Sequence, residues 1–418
     1  MQPQPFTLNP SYLAMVRGVR ELHRLIADGK EDSPEADAIR DATDGPWGSL
    51  SEIERRRVRN LSEDLYSLRE PALSQVPPNP KAFSKLVDAL EARKQGEWDR
   101  ALDLLRSWGS FVGDPATVSY VRGEIWLEAG DPATAAVFFE HASELQAENG
   151  SYLAMLLNAL VLSNPVEAHR RAETILAEPD KSSPVVIAHA TNIVLKSLTN
   201  ASESEASRRF RSLIPILERT VRRFEEEDPG SVDRSSYVMT IANLGLAHEF
   251  LGEAQLASQN YSRGLQIDPT NDALLVARGM LLYGTSARAI TDFEEAVRLR
   301  SPVVWPYFAL AHHHLSNSRF EECRRFAEQA LELADSAAVQ SELYEWVAIS
   351  QSMLEFPGET VRASFENAIR LDPSNERAVS NFAKFEAAVG RTVKDWKIRS
   401  PAAVRSSVLA ERRYQMAA

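Results

Sequence analysis

Apolar residues recur along much of this chain with the period of a helix. Leu13, Val16, Val19, Leu22 and Ile26 fall on one side of a stretch running from Asn9 to Ala27. Val58, Leu61, Leu65 and Leu68 mark a second amphipathic helix, which Ser51 and Glu54 open as a capping box. Between them, Glu31 to Asp44 carries six acidic residues and one arginine, and Asp44-Gly45-Pro46-Trp47-Gly48 reads as a turn. Pro77-Pro78-Asn79-Pro80 reads as a stiff linker. In the middle of the chain, Ser151–Leu162, Val166–Leu176, Val185–Leu198 and the arginine-rich Glu205–Glu226 all read as helical.

On this helical pattern a second, longer period is superposed. Gly123, Ala135, Phe139 and Ala142 follow one another at gaps of 12, 4 and 3, and Gly245, Ala257, Tyr261 and Gly264 repeat those gaps. So do Ala89, Ala101, Leu105 and Trp108, and again Ala311, Cys323, Ala327 and Ala330. Ile349, Val361, Phe365 and Ala368 form a weaker copy with Pro357-Gly358 in a lengthened turn, and Gly279, Ala289, Phe293 and Ala296 shorten the first gap to 10. First marks recur 34 residues apart, as from 89 to 123 and from 245 to 279. A small residue at the first, second and fourth marks lets two helices approach closely, and an aromatic at the third fills the space between them. Gly96, Gly130 and Gly252 fall where the first helix of each pair must end, and Asp268-Pro269 and Asp372-Pro373 end the second.

These residues resemble the tetratricopeptide repeat family, most fully at Asn243-Leu244-Gly245 through Ala257, Tyr261 and Pro269, and over about 82–149 and 238–390. Asp32-Ser33-Pro34 through Leu65-Tyr66 is similar to the front ends of bacterial repeat proteins. The resemblance implies an all-α right-handed superhelical solenoid of about eight or nine helix pairs behind a small helical N-terminal unit. The expected organisation is that N-terminal unit over 1–80, two repeats over 81–149, irregular helical pairs over 150–237, repeats over 238–390, and a basic capping helix or tail over 391–418.

Composition narrows the function. Lys+Arg 47 against Asp+Glu 59 gives a formal charge of -12, which disfavours whole-face binding to nucleic acid or an anionic membrane. The start of the chain lacks a secretory pattern and no apolar run reaches membrane length, so a cytoplasmic protein is expected. A single cysteine, Cys323, excludes a disulfide framework and reads as a buried small side chain. No phosphate-loop, dinucleotide, zinc-protease or serine-hydrolase motif occurs. His312-His313-His314 cannot converge on one metal from a helix, where neighbours point about 100° apart. Carboxylate runs such as Glu321-Glu322 and Glu225-Glu226-Glu227 read as solvated helix faces. No catalytic role, metal or cofactor is therefore expected.

In the family, the first helix of each repeat lines the concave face. Transferring its register implies a partner-binding groove at Tyr120, Met155, Met239, Asn243, Val276, Met280, Trp305, Phe308, His312, Trp346 and Met353. Asn243 and Asn381, each two residues before a first mark, and less securely Asn158, occupy the place of a family asparagine that grips a bound peptide's backbone. The groove residues are either solenoid core, a surface filled by the chain's own helices from residues 9–68, or a surface for an apolar helix or peptide of a partner protein. Two basic features stand apart: Arg208, Arg209, Arg211, Arg219, Arg222 and Arg223 on one helix, and Arg391, Lys394, Lys397, Arg399, Arg405, Arg412 and Arg413 in the tail. They support a rival expectation, an accessory subunit of a nucleic-acid-associated complex, against capping of the solenoid. The leading expectation is a protein–protein adaptor.

Overall fold

The computed structural model describes residues 6, 9–69, 80–109, 114–198, 201–227, 230–388, 393, 395–406 and 408, and among these it contains helices and no strand. The chain divides into two compact units, Met1–Val194 and Leu195–Ala418. The first holds α1 (Pro10–Ala27), α2 (Pro34–Gly48), α3 (Glu52–Ser67), α4 (Pro80–Lys94), α5 (Trp98–Gly109), α6 (Pro115–Glu128), α7 (Pro132–Leu145), α8 (Gly150–Ser163), α9 (Pro165–Ala177) and most of α10 (Pro184–Ser197). The second holds α11 (Glu203–Glu226), α12 (Arg234–Phe250), α13 (Ala254–Ile267), α14 (Asp272–Leu282), α15 (Arg288–Arg298), α16 (Trp305–Ser316), α17 (Phe320–Leu333), α18 (Ala337–Met353), α19 (Gly358–Leu371) and α20 (Glu376–Ala387). Seven successive helix pairs pack as hairpins, α4/α5 to α8/α9 in the first unit and α12/α13 to α18/α19 in the second. Residues 77–79 and the side chain of Trp108 lie outside what is described.

The repeat marks meet as their spacing requires. A Cβ on Gly123 would stand 2.6 Å from the Phe139 ring, one on Gly245 2.5 Å from Tyr261, and one on Gly279 2.6 Å from Phe293. Where the first mark is alanine, at Ala89 and Ala311, the third is Leu105 or Ala327 instead of an aromatic, so a methyl group is exchanged against a ring. Five first helices then end on the same pair of backbone bonds. Gly130 N–H reaches the Leu127 carbonyl at 3.1 Å and Asp131 N–H reaches Trp126 at 2.9 Å, with Gly130 at φ 86. The same closure occurs at Gly96, Gly252, Ser318 and Glu355, each with positive φ. Each of these residues stands seven after a small first mark, and for Glu355 that residue is the buried Ala348, not Ile349. The weak copy is thus shifted by one position, its extra residue lying in the turn before Val361.

At the front of the chain, Asn9, Ser33 and Ser51 cap α1, α2 and α3, and the capping box of Ser51 with Glu54 is formed. The segment expected to turn at Asp44–Gly48 is instead the last turn of α2. Proline keeps helical φ there, and Arg55 of α3 closes the helix end by donating to the carbonyls of Trp47 (3.4 Å) and Gly48 (3.1 Å). Gly18 admits α2 against α1, since a Cβ there would lie 2.5 Å from Thr43. Ion pairs tie this three-helix body to α5–α7. Buried Asp64 takes Arg106 at 2.8 Å and Arg122 at 2.9 Å, Arg57 takes Asp99 at 2.7 Å, and Arg20 takes Asp131 at 3.0 Å. Phe6 wedges edge-on against Trp98 and Trp126, 5.5 Å from each.

The glycine–aromatic contact makes a double-mutant prediction. Gly245→Ala should destabilise the chain by about 1–3 kcal/mol, as overpacking does, while Gly245→Ala combined with Tyr261→Leu should cost less than the sum of the two single changes. Urea unfolding of the four proteins reads this coupling.

Candidate functional site

The residues expected to form the groove do lie on first helices, but most in the second unit are covered. On α16, Trp305, Phe308 and His312 are buried, as are Val276 and Met280 of α14, Trp346 of α18 and Asn381 of α20. Their rings form a ladder: Trp305 to Phe308 at 5.9 Å, Phe308 to Trp346 at 4.5 Å and His312 to Trp346 at 5.5 Å. Met239, Met353 and, in the first unit, Tyr120 and Met155 remain half-buried. Tyr120 rests against Phe139 and Tyr152 at 5.7 and 4.9 Å.

What covers the ladder is the chain's own C-terminal segment. Residues 395–400 have no regular secondary structure and 401–406 are helical. Asn381 Nδ2 donates to the Lys397 carbonyl at 2.9 Å and its Oδ1 accepts the Lys397 N–H at 2.9 Å. One residue pair on, Arg399 donates to both oxygens of Glu342 at 2.9 and 3.1 Å, and its carbonyl meets His312 Nε2 at 2.9 Å. A carbonyl only accepts, so Nε2 carries the proton and Nδ1 accepts from the Tyr283 hydroxyl at 2.7 Å. Pro401 then sits over Gly284, where φ is +78 and a Cβ would come within 2.8 Å of it. Val404 and Val408 enter the same apolar core as Trp346 and Phe308, with Trp396 packed at its edge. Each fully buried valine contributes about 1.5–3 kcal/mol. The basic tail therefore lies along the first helices of the second unit; Arg412 and Arg413, with Arg391 and Lys394, fall outside the described residues.

The polar surroundings of the segment form a closed network that the repeat pattern did not single out. Glu345 is fully buried between Arg377 (2.9 Å) and Asn381 (2.8 Å), and burial raises its pKa against the pull of Arg377. Glu342 joins Arg377 to Arg399. The one sequence signal for these groups is that two carboxylates, Glu342 and Glu345, shortly precede the groove tryptophan on α18 while the tail is basic. Clefts of about 510 Å³, beside Lys397 and Arg399, and about 330 Å³, beside Pro401, flank the segment.

The three asparagines differ. Asn158 accepts from His189 of α10 at 2.9 Å, a bond between neighbouring helices. Asn381 holds a backbone. Asn243, 6% exposed, has an Nδ2 with no hydrogen-bond partner.

Other candidates stand apart from this face. His313 is half-buried and His314 stacks on Phe326 at 5.4 Å, so the histidine run diverges. Among the described residues no three His, Cys, Asp or Glu side chains gather to hold a metal, and no helix is long and apolar enough to cross a membrane. Burial pushes the Cys323 thiol up to about 12. On α11, Arg208, Arg211, Arg219 and Arg222 are exposed, and Arg209 and Arg223 half-buried.

Two predictions follow from this geometry. Asn381→Ala should destabilise the chain by about 1–3 kcal/mol because it strands buried partners, whereas Asn243→Ala should leave the melting temperature unchanged or raised. His312 supplies a pH dependence. Burial, with Arg399, Arg377 and His313 nearby, lowers its pKa to about 4 from 6.5. A neutral-buried histidine stabilises fully above its unfolded pKa, so its contribution fades as pH falls from about 6.5 toward 4. The difference in melting temperature between wild type and His312→Gln should accordingly shrink between pH 7 and pH 4.5.

No family model matches the chain, and no curated protein matches it. Among solved structures, it is similar to a tetratricopeptide repeat protein from Parabacteroides merdae, at 14% identity and a TM-score of 0.38, over 64% of this chain and 99% of that one. It is also similar to the C-terminal part of a TPR repeat-containing protein from Cytophaga hutchinsonii, at 13% identity and a TM-score of 0.33, over 71% and 98% of the two chains. By its own hairpin pairs, its left-handed first-helix ends and its contacts of small residues with rings, the chain is an all-α helical repeat protein.

Proposed function

We propose that the chain is a non-catalytic protein-interaction scaffold that docks an extended, partly apolar segment of a partner protein on the first helices around α12 and α14. The observation that supports this reading is the contrast between two equivalent amides. Asn381 spends both its donor and its acceptor on the backbone of Lys397. Asn243, at the same place two residues before a first mark, keeps a buried donor with no hydrogen-bond partner. A buried unsatisfied donor costs stability and recurs where a ligand supplies the missing acceptor. Half-buried Met239, one turn before it on α12, offers an adaptable apolar neighbour. Trp305 and Trp346 belong to the core beneath the tail, so truncating them reports on folding and not on docking.

The test is affinity capture of the tagged full chain from its native cells, with and without nuclease, followed by a binding titration of the recovered protein. Asn243→Ala should weaken that binding about tenfold, equivalent to about 1.4 kcal/mol, in a protein whose melting temperature does not fall. Equal affinity of the two proteins would overturn the role of Asn243. Recovery that depends on nucleic acid would overturn the scaffold reading in favour of the arginines of α11.

A further inference from the structure

The C-terminal segment does not pack as the next element of a repeat array would. In such an array each element touches its neighbours in sequence order. Here Lys397 is held by α20, Arg399 by α18 and α16, and Pro401 and Arg405 by the end of α14. The segment thus steps backward over the first helices of successive pairs, running against their order in the chain.

Its attachments are also those of a ligand. The grip at Lys397 is on backbone N–H and carbonyl, while the lysine side chain is exposed. Charge is complementary at two points: Arg399 on Glu342, where Arg377 holds the carboxylate from the other side, and Asp395 on Lys384 of α20. Among the described residues the apolar seat consists of Val404, Val408 and Trp396, whose ring stacks on Phe365 at 6.1 Å. Most other residues from 395 to 406 are exposed, and one cleft lies beside Lys397 and Arg399 and another beside Pro401. The shortened α14/α15 turn, with Gly284 at φ +78, provides the place for Pro401. A stretch with so few buried anchors releases at lower free energy than the helices beneath it.

We propose that residues 395–406, with Val408, are a ligand held in cis, and that this face takes in their place a partner segment of the same ordered chemistry: a non-helical stretch with an arginine, a proline two residues on and a valine three beyond that. The inference rests on the scaffold reading and adds a second, gated docking face to it.

The probe is a labelled synthetic peptide of residues 393–408, titrated against the full chain and against the full chain bearing Arg399→Glu and Val404→Asp, which weaken its own tail. The peptide should bind the double variant at least tenfold more tightly than wild type, and Asn381→Ala in that background should remove the gain. Equal binding to both proteins, or no binding by a double variant that retains its helical content, overturns the proposal. A concentration-dependent dimer of the wild type that the double variant loses would assign the site to a second copy and overturn it as well. Hydrogen exchange on the unaltered full chain gives an answer even where the double variant does not fold. Amides of 396–406 should exchange at least tenfold faster than those of α16 and α18, and exchange in step with them overturns the proposal. No cellular partner and no change at Asn243 enter these measurements, so their failure and that of the α12 reading are separable.

Discussion

The distance between the two helices of a pair governs the rest of this structure. At Gly123, Gly245 and Gly279 that distance is set by a ring lying where a methyl group would otherwise be. The ring is buried because the small residue lets it in, and the pair closes because the ring fills the space. Neither helix of a hairpin has a polar outer surface on every side, so each pair must lean on the next, and the apolar cluster of the second unit runs without interruption from Val238 to Val408. The turns serve the same requirement. A left-handed residue seven positions after the small one ends the first helix at the point from which the second can return alongside it.

A surface built this way carries a face of first helices whose polar side chains find their partners outside their own pair. Its three asparagines meet three different fates. Asn158 bonds to a histidine of α10; Asn381 bonds to the returning tail; Asn243 is left with a donor unused. The carboxylates of α18 follow the same logic. Glu345 tolerates complete burial because Arg377 and Asn381 meet it, and Glu342 lies between two guanidinium groups. The tail is thus bound by the polar groups of the face as much as by its apolar ladder.

Much of this was legible in the residues, and the boundary of legibility has a physical cause. Gaps of 12, 4 and 3 encode contacts within a hairpin, and those contacts are formed. The capping box at Ser51 encodes a helix start and is likewise formed. The register of the fifth copy was readable only from the turn: Ile349 fits the gap of 12, but the backbone needs its left-handed residue at Glu355 and so places Ala348 on the mark. At Asp44–Gly48 the composition indicates a turn, and a guanidinium from α3 supplies what the helix end lacks. The cover over Trp346 was not readable at all. His312 and Arg399 are 87 residues apart, and Arg405 and Tyr283 are 122 apart. Periodicity reports neighbours in a repeat, and it carries no record of which distant segment returns to them.

The grip of Asn381 on Lys397 has an evolutionary corollary. An amide that reads N–H and carbonyl is indifferent to the side chain between them, and the side chains of Lys397, Ile398 and Ser400 point largely to solvent. Mutations can therefore accumulate at those three positions without loosening the tail, while Arg399 and Val404 on one side and Asn381, Glu342 and Gly284 on the other have little freedom to drift. Across descendants of this gene the tail would keep a few fixed residues in an otherwise divergent stretch. Its dock would stay constant, and the ancestry of the contact would be recorded far more fully on one of its two sides than on the other.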